Sequence, residues 1–542
     1  MNRLNLLAAA FLLLNVCTAA TAEIAPSAYL QEQIAALKAA AVKGVEKRAK
    51  LAQVMNDQIF SFGELGYQEF ETSKYITGIL EKNGFKVTRG IAGLPTGWIA
   101  RWSNGTGGPV IALGSDIDCI PKASQKPGVV AHEPLVPGAP GHGEGHNSGQ
   151  ALNVVAAMAL RDVMVQNHIA GTLVLWPGVA EELLGGKAYM VRDGVFSGID
   201  ATVFTHVGDI LATSWGMRAG TGLVSVKYNF HGEAAHAAGA PWRGRSALDA
   251  VELMDIGWNF HREHVKPEQR SHRVIFNGGD QPNVVPPEAG VWYYFRQQTF
   301  ADITSLYEAG NRIAAAAAMM TDTTVDHEVV GAAAPMHFNK PMAEAAQANI
   351  DTVGLPVWTD QEDAFARAVQ KLVGAKEEGL AKKLKSLTPP PEKPESGPSD
   401  DIGDISWIMP TITLVYPSNI PGLPGHHWSN AISMATPIAH KGVVTGAKVM
   451  AMTVLDLLTK PALLADAKLY FKDVQNKDQH YISFLAKTDQ PRIQQNAQIM
   501  AQFRPAMAKF YYDPARYPTY LDQLGVKWPP DVPKVPEVPE RK

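Results

Sequence analysis

Four short apolar runs, Val110 to Leu113, Leu173 to Trp176, Ala201 to Phe204 and Ile412 to Tyr416, recur at wide intervals along the chain. Each is continuous rather than alternating, which is the pattern of a strand buried on both faces. Between the first two, Ala151 to Met164 has helical spacing, with Leu152, Val155, Ala156, Ala159, Leu160 and Val163 apolar. Buried strands joined by helices predict an open α/β sheet, mixed or mostly parallel and flanked by helices. Upstream, Ala35 to about Lys82 has helical periodicity and reads as a pair of surface helices.

From about Met217 the period changes. Val224, Val226, Tyr228 and Phe230 alternate as in a half-buried strand, and Ser246-Ala247-Leu248-Asp249 opens a helix with Val251, Met254 and Trp258. Arg273 to Phe276 and Val291 to Phe295 read as strands, Ile303 to Met320 as a helix and Thr323 to Val330 as a last strand. The order β-α-β-β-α-β is ferredoxin-like. It interrupts the first domain, whose strand at Ile412 follows it. The predicted organisation is a first domain in two parts, 23–216 and 336–463, an inserted α+β unit at 217–335, and an extension at 464–542. Within the second part, Thr359-Asp360-Gln361-Glu362 is a capping box opening a helix with Phe365, Ala368 and Leu372 on one face. The extension ends in a tail from Trp528 carrying Pro529, Pro530, Pro533, Pro536 and Pro539, expected to lie extended.

Composition narrows the class. A chain of 542 residues is too long for one compact core, and its net charge of -4 gives nucleic-acid binding no electrostatic support. Met1-Asn2-Arg3 followed by the apolar Leu4 to Val16 is a secretory signal pattern, too short to span a bilayer. Ala20-Thr21-Ala22 offers the cleavage site, so residues 1–22 are excluded from the fold and a secreted or periplasmic product, free of the membrane, is expected from Glu23 onward. Lipidation at Cys17 is the lesser alternative, because Asn15 and Val16 are poor residues before a lipidated cysteine. Cleavage leaves Cys119 alone, and no intramolecular disulfide can form.

Each apolar run is followed closely by ionisable residues: Asp116 and Asp118, Glu181 and Glu182, His206, and His426. Sites of open α/β sheets lie beyond the carboxyl ends of the strands, so one shared site is predicted. The Gly-rich segment Gly141-His142-Gly143-Glu144-Gly145-His146-Asn147 adds a carboxylate and an imidazole two residues apart. Alone, such a segment is often only a polar loop, and Glu181-Glu182 alone only a solvated one. The ordered set at four strand ends is what points to metal. Glu144, His146, Glu182, His206 and His426 are the candidate ligands, five donors suited to two divalent ions. Glu181, beside a ligand, is the candidate general base and acid for amide hydrolysis.

These residues match a family pattern. The chain resembles the M20 metallopeptidases and amidohydrolases, in particular the branch of p-aminobenzoyl-glutamate hydrolase-like and aminoacylase-like enzymes, from about Gln53 to Leu458. The anchors are Gly114 to Asp118, Gly141 to Asn147, Glu181-Glu182, His206, Phe230 to His236, Gln281 to Pro286, Tyr293 to Arg296, Ser399 to Asp404 and Gly425-His426-His427-Trp428. The resemblance implies a di-metal catalytic domain, holding zinc or manganese, interrupted by a lid that makes a homodimer. It implies that the five candidate ligands hold the metals, with His426 preferred to His427 by its distance from Trp428, and that Glu181 is the catalytic carboxylate. Asp118 takes the place of an aspartate that orients a ligand histidine, while Asp116 is either a ligand or structural. His236 resembles a lid residue that reaches a neighbouring subunit's site to stabilise the oxyanion, and Asn283 and Arg296 resemble substrate binders. Arg296 suits a substrate carboxylate, with a salt bridge inside the lid as the competing role.

One position departs from the pattern. Glu144 stands where the branch usually has cysteine, and a carboxylate is the harder donor, which brings manganese forward beside zinc and suits an oxidising compartment. The expected activity is metal-dependent hydrolysis of an N-acyl or N-aroyl amino acid. A dipeptidase or carboxypeptidase shares every catalytic residue, and a periplasmic binding protein without turnover is the reading from another class.

Overall fold

The computed structural model describes residues 29–217, 220–392 and 396–530. The predicted signal segment, its expected cleavage site and the last twelve residues of the proline-rich tail lie outside the described residues.

The chain opens with α1 (Gln31–Glu46), α2 (Ala49–Phe62) and α3 (Phe70–Lys82), followed by β1 (Lys86–Arg89), β2 (Trp98–Asn104), β3 (Val110–Asp116), α4 (Gly149–Gln166), β4 (Gly171–Gly178), α5 (Lys187–Arg192) and β5 (Ala201–Gly208). The short β6 (Gly216–Met217) leads to the inserted unit: β7 (Gly222–His231), α6 (Ala247–His261), β8 (Arg270–Asn277), β9 (Glu288–Gln297), α7 (Phe300–Met320) and β10 (Thr324–Ala333). After β11 (His337–Phe338), which pairs with β6, come α8 (Lys340–Val353), α9 (Asp360–Leu372), α10 (Ile402–Ser406), β12 (Thr411–Pro417), α11 (Trp428–Ala431) and α12 (Pro437–Thr459).

The main sheet runs β1-β2-β4-β3-β5-β12. β3, β4, β5 and β12 are mutually parallel, and β1 and β2 complete an antiparallel edge. The four apolar runs are those four parallel strands. Helices cover both faces of such a sheet, so Ile111 to Leu113, Leu173 to Trp176, Ala201 to Phe204 and Ile412 are fully buried. α12 is apolar enough to cross a bilayer but is buried in this core instead. The inserted sheet has the antiparallel order β10-β7-β9-β8, the ferredoxin-like arrangement. Ser246 caps α6 by accepting the Asp249 N–H at 3.2 Å, as its sequence predicts.

Two readings of local pattern are corrected. The stretch from Ala35 to Lys82 is three helices, not a surface pair, and α2 is buried around nearly its whole circumference, including Asn56 and Asp57. Thr359 does cap α9 with a reciprocal box to Glu362, but the buried face is Phe365, Ala366 and Val369, while Leu372 is exposed. Beyond α13 (Pro461–Tyr470) the extension packs against the rest of the chain. It carries α14 (Ala497–Met507) and α15 (Tyr520–Gln523), pairs Arg504 with the buried Glu64, buries Tyr520 against Phe60, and seats Leu485 in the core of the inserted unit.

Candidate metal centre

Loop geometry at the carboxyl ends of the parallel strands places the site. In the Gly141–Ser148 loop, Gly145 has φ +121°, and a β-carbon there would come within 2.4 Å of the Met434 sulfur, so only glycine lets the loop turn this close to the core. Asn147 pins the turn by donating Nδ2–H to the Met434 carbonyl at 2.9 Å and to Asn56 Oδ1 at 3.0 Å. Glu181–Leu183 is a single helical turn bracketed by Ala180 (φ 52°) and Leu184 (φ 51°), both left-handed and neither glycine. Such residues cost about 1–3 kcal/mol each and persist only where the surroundings hold them. Here Ala180 N–H donates to Glu69 at 2.8 Å and Glu182 N–H to Asp118 at 3.1 Å. The third strained residue is His426 itself, at φ 48°. His206 lies inside β5 rather than after it, and His426 follows β12 by a loop.

The fold brings all five candidate ligands together. Glu144 lies 3.6 Å from His146 Nε2, 3.5 Å from His206 Nε2 and 3.3 Å from His426 Nε2, and His426 Nε2 is 3.4 Å from Glu182. His146 Nε2 and His206 Nε2 face each other at 3.4 Å. Two ligand atoms at about 2.1 Å from a tetrahedral ion stand about 3.4 Å apart, so these separations are those of donors around a shared cation. Buried oxygens of Glu144 and Glu182 have no hydrogen-bond partner, nor does His146 Nδ1, which lies 3.6 Å from Asp118. Neither Glu144 nor Glu182 pairs with a lysine or arginine among the described residues. The donor set therefore fits divalent metal, and two overlapping groups, Asp116-His146-His206 and Glu144-His146-Glu181-Glu182, have the reach for it.

Electrostatics agree. Burial pushes the Glu144 carboxyl up, but the imidazoles of His146, His426 and His206 outweigh it and hold it well below the usual carboxylate range. Burial and then the Glu144 charge drive Glu182 far the other way. The pocket carries more negative charge than its own groups balance, the condition a cation relieves. Burial, then Asp400 and Asp116, also raise the Glu181 carboxyl, which suits a group that must carry a proton.

Behind Glu181 lies an assembly that the sequence reading missed. Lys187, at the start of α5, is completely buried; its ammonium donates to Asp116 at 2.5 Å and to Asp401, with Asp400 at 3.5 Å. Asp116 is thus an ion-pair partner of Lys187, while its second oxygen remains unpartnered. A lysine in the run Gly185-Gly186-Lys187-Ala188-Tyr189-Met190 looks like any surface lysine; only its apolar neighbours hint at burial. His142, in contrast, turns away from the donors, donates Nε2–H to the Ile59 carbonyl at 3.2 Å and is held neutral by burial, down to about 3.

A cleft of about 730 Å³ opens onto the donors and is lined by Glu144, Glu181, Glu182, His206, His426, Tyr294, Ser399, Asp400 and Arg296. Arg296 forms no ion pair among the described residues. Its guanidinium lies over Tyr294 at 5.3 Å, reaches the Ser399 hydroxyl only at 3.4 Å, and has a buried Nε without a partner, so the salt bridge inside the lid is absent. His236 and Asn283 are not in this cleft. They sit together on an exposed face of the inserted unit, where His236 bridges to Val284 and Asn283 O accepts the Ala237 N–H at 3.0 Å.

Comparison with known proteins gives a peptidase dimerisation domain match over residues 219–319. A p-aminobenzoyl-glutamate hydrolase subunit of Escherichia coli (strain K12) is 32% identical over 449 residues, 78% of this chain and 92% of that protein. The Xaa-Arg dipeptidase of Mus musculus is 28% identical over 449 residues, 80% of this chain and 92% of that protein. An aminobenzoyl-glutamate utilization protein from Klebsiella pneumoniae has the same fold, with a TM-score of 0.54 at 16% identity, covering 76% of this chain and 97% of that one.

Proposed function

Because this chain belongs to the M20 family of metal-dependent peptidases and amidohydrolases, we propose that it hydrolyses the amide of an N-acyl or N-aroyl amino acid whose free carboxylate is held by Arg296. The observation that carries this reading is one cleft lined by four of the five convergent donors, with His146 directly behind them, a buried carboxyl and an unpaired guanidinium. Glu144, His146, Glu182, His206 and His426 would hold two divalent ions, zinc or manganese, which when bound supply a Lewis acid for the carbonyl and a more acidic water. Glu181 takes the proton of the attacking water and returns it to the leaving nitrogen. Asp118 sits behind His146 and fixes its ring. Arg296 positions the carboxylate and so the scissile amide.

His236 acts, in this reading, across a homodimer. Its Nδ1 accepts the N–H groups of Ala238 and Gly239 at 3.2 and 3.0 Å, so the neutral ring carries its proton on the outward Nε2, the donor an oxyanion needs. Asn283 beside it would touch the same partner-bound substrate. The free edge strand β8, with Val274, Ile275 and Phe276 exposed, supports pairing of two lids. Export with cleavage before Glu23 is also proposed, on the signal pattern; amino-terminal sequencing of the secreted chain tests it. A dipeptidase reading has its own support in the Xaa-Arg dipeptidase relative.

The deciding experiment is turnover of p-aminobenzoyl-glutamate, N-acyl amino acids and dipeptides by metal-loaded protein, with Glu181→Gln alongside. Loss of a general base costs roughly 10²–10⁴-fold in rate, and the variant should retain its metal by mass spectrometry. Unchanged turnover by the variant refutes the mechanism. No stoichiometric metal and no turnover across the panel would establish a binding protein instead.

A further inference from the structure

The Glu181–Leu183 turn sends adjacent carboxylates in different directions. Glu182 stands 3.4 Å from His426, while Glu181 lines the cleft within reach of Asp400 and Asp401. That divergence is set by the torsions of the turn, whose flanks, Ala180 and Leu184, are both left-handed without being glycine. Contacts that fix these flanks therefore fix where Glu181 points.

One short segment far upstream grips both sides of the turn. Before it, Glu69 accepts the Ala180 N–H at 2.8 Å and the Thr96 hydroxyl at 2.7 Å. After it, the buried Tyr67 hydroxyl donates to the Gly185 carbonyl at 2.9 Å, so close that a β-carbon on residue 185 would lie 2.1 Å from the phenol oxygen. Tyr67 is itself left-handed, at φ 68°, and a β-carbon on the neighbouring Gly66 would stand 2.8 Å from Ala180 Cα. The segment is in turn pinned from behind. Asn496 donates to the Gly66 carbonyl at 3.0 Å, Arg504 to the Gln68 carbonyl at 2.9 Å, and the Gln68 amide to the Ile493 carbonyl at 2.9 Å. A residue locked by its own neighbours is the kind that can hold a reacting group in place.

Glu69 is also a costly residue to use as a prop. It is completely buried and pairs with no lysine or arginine among the described residues, and burial, then the Asp118 charge, raises its carboxyl to about 8. Buried carboxyls without a counter-ion disfavour folding and persist where a site needs them. Neither Glu69 nor Tyr67 lines the cleft, and Glu182 has a separate tether in Asp118, which accepts its N–H at 3.1 Å.

We infer that Glu69 is a positioning residue for the proposed amide hydrolysis, with Tyr67 as its counterpart across the turn: the two hold its flanks and keep Glu181 aimed at the water it deprotonates. The inference rests on the role given to Glu181 in that reading. Because Glu182 is tethered independently, metal binding should not depend on Glu69.

The test places Glu69→Met, Glu69→Gln and Tyr67→Phe in the natural full-length protein and in its Glu181→Gln variant. Rates are measured per metal-bearing chain, with metal counted by mass spectrometry. Misplacing a reacting group by about 1 Å costs up to roughly 100-fold, so Glu69→Met should lower kcat by roughly 10–100-fold with KM within about threefold. Glu69→Gln, which still accepts the Ala180 N–H, should recover to within about fivefold of the natural rate, and Tyr67→Phe should lose roughly 3–10-fold. In the Glu181→Gln background each should cost less than about twofold, because the group they aim is gone. Should Glu69→Met fail to fold, Tyr67→Phe decides by the same comparison. Equal losses in both backgrounds, no loss in the natural one, a Glu69→Gln variant as slow as Glu69→Met, or metal lost together with activity overturns this inference and leaves the hydrolase standing. Unchanged turnover by Glu181→Gln itself, or no turnover of any substrate by the natural protein, overturns the hydrolase reading and this inference with it.

Discussion

Replacing Lys187 with methionine keeps most of the side-chain volume and removes the only cation in contact with Asp116 and Asp401 among the described residues. All three side chains are fully buried. Burial works against the Lys187 charge, but Asp116, Asp401 and Asp400 hold its ammonium well above the ordinary lysine value, so it is charged at any pH the protein meets. Taking away one partner of a buried pair leaves the other charge without compensation, a cost of about 3–5 kcal/mol. For a cooperative unit of about 300 residues, 1 kcal/mol corresponds to roughly 1.6 °C, so the melting temperature of Lys187→Met should fall by about 5–8 °C. The double variant Lys187→Met with Asp401→Asn removes one of the stranded charges and should recover part of that loss. Calorimetry on the metal-loaded protein reads both, with Lys382→Met, an exposed lysine bound to Asp363, as a surface control expected within about 1.6 °C because exposed pairs contribute about 0–1 kcal/mol. A Lys187→Met shift no larger than that control, or a double variant no more stable than the single, would refute the idea that Lys187 neutralises this cluster.

Two further outcomes follow from other parts of the molecule. Arg296→Met should lower kcat/KM on substrates with a free leaving-side carboxylate by roughly 10–150-fold, the range of a charged hydrogen bond worth about 1.5–3 kcal/mol, and should leave carboxamide-capped substrates nearly untouched; equal losses on both would remove Arg296 from carboxylate binding. His337, packed against Trp407 and Tyr470, is lowered to about 4 by burial. Its unfolded-state value is near 6.5, so the unfolded chain binds the proton more readily between those limits; this stability contribution is complete above pH 6.5 and is lost as the pH falls towards 4, by about 3 kcal/mol in all. His337→Gln should flatten that limb of a plot of melting temperature against pH, and an unchanged slope would assign the acid sensitivity elsewhere.

How much of this was legible in the chain depended on whether the relevant contacts repeat along the sequence. Strands buried on both faces write their burial as unbroken apolar runs, and the lid writes its half-burial as alternation, so both sheets could be read. The convergence of the candidate ligands could be read because strand topology sends the ends of four separate runs to one edge. Lys187 could not, because its partners are 71 and 214 residues away, and no local pattern distinguishes a paired lysine from a solvated one. His236 and Asn283 were legible as a motif but not as a place. They lie together outside their own chain's cleft, on an exposed face of the lid.

The misreading of α2 has one physical cause. Gln53, Asn56, Asp57 and Gln58 make α2 look like a surface helix, yet all four are buried. Asp57 accepts from the His440 ring of α12 at 2.6 Å and from the Tyr520 N–H of the extension at 3.3 Å, while Asn56 donates to the Met434 carbonyl at 2.8 Å. Buried polar groups are tolerated only when bonded, and here their partners come from hundreds of residues downstream. Met434 and His440 and, from the extension, Tyr520 therefore make the polarity of α2 compatible with its burial, and because Asn56 also accepts the Asn147 amide beside His146, α2 ties this covering to the Gly141–Ser148 loop.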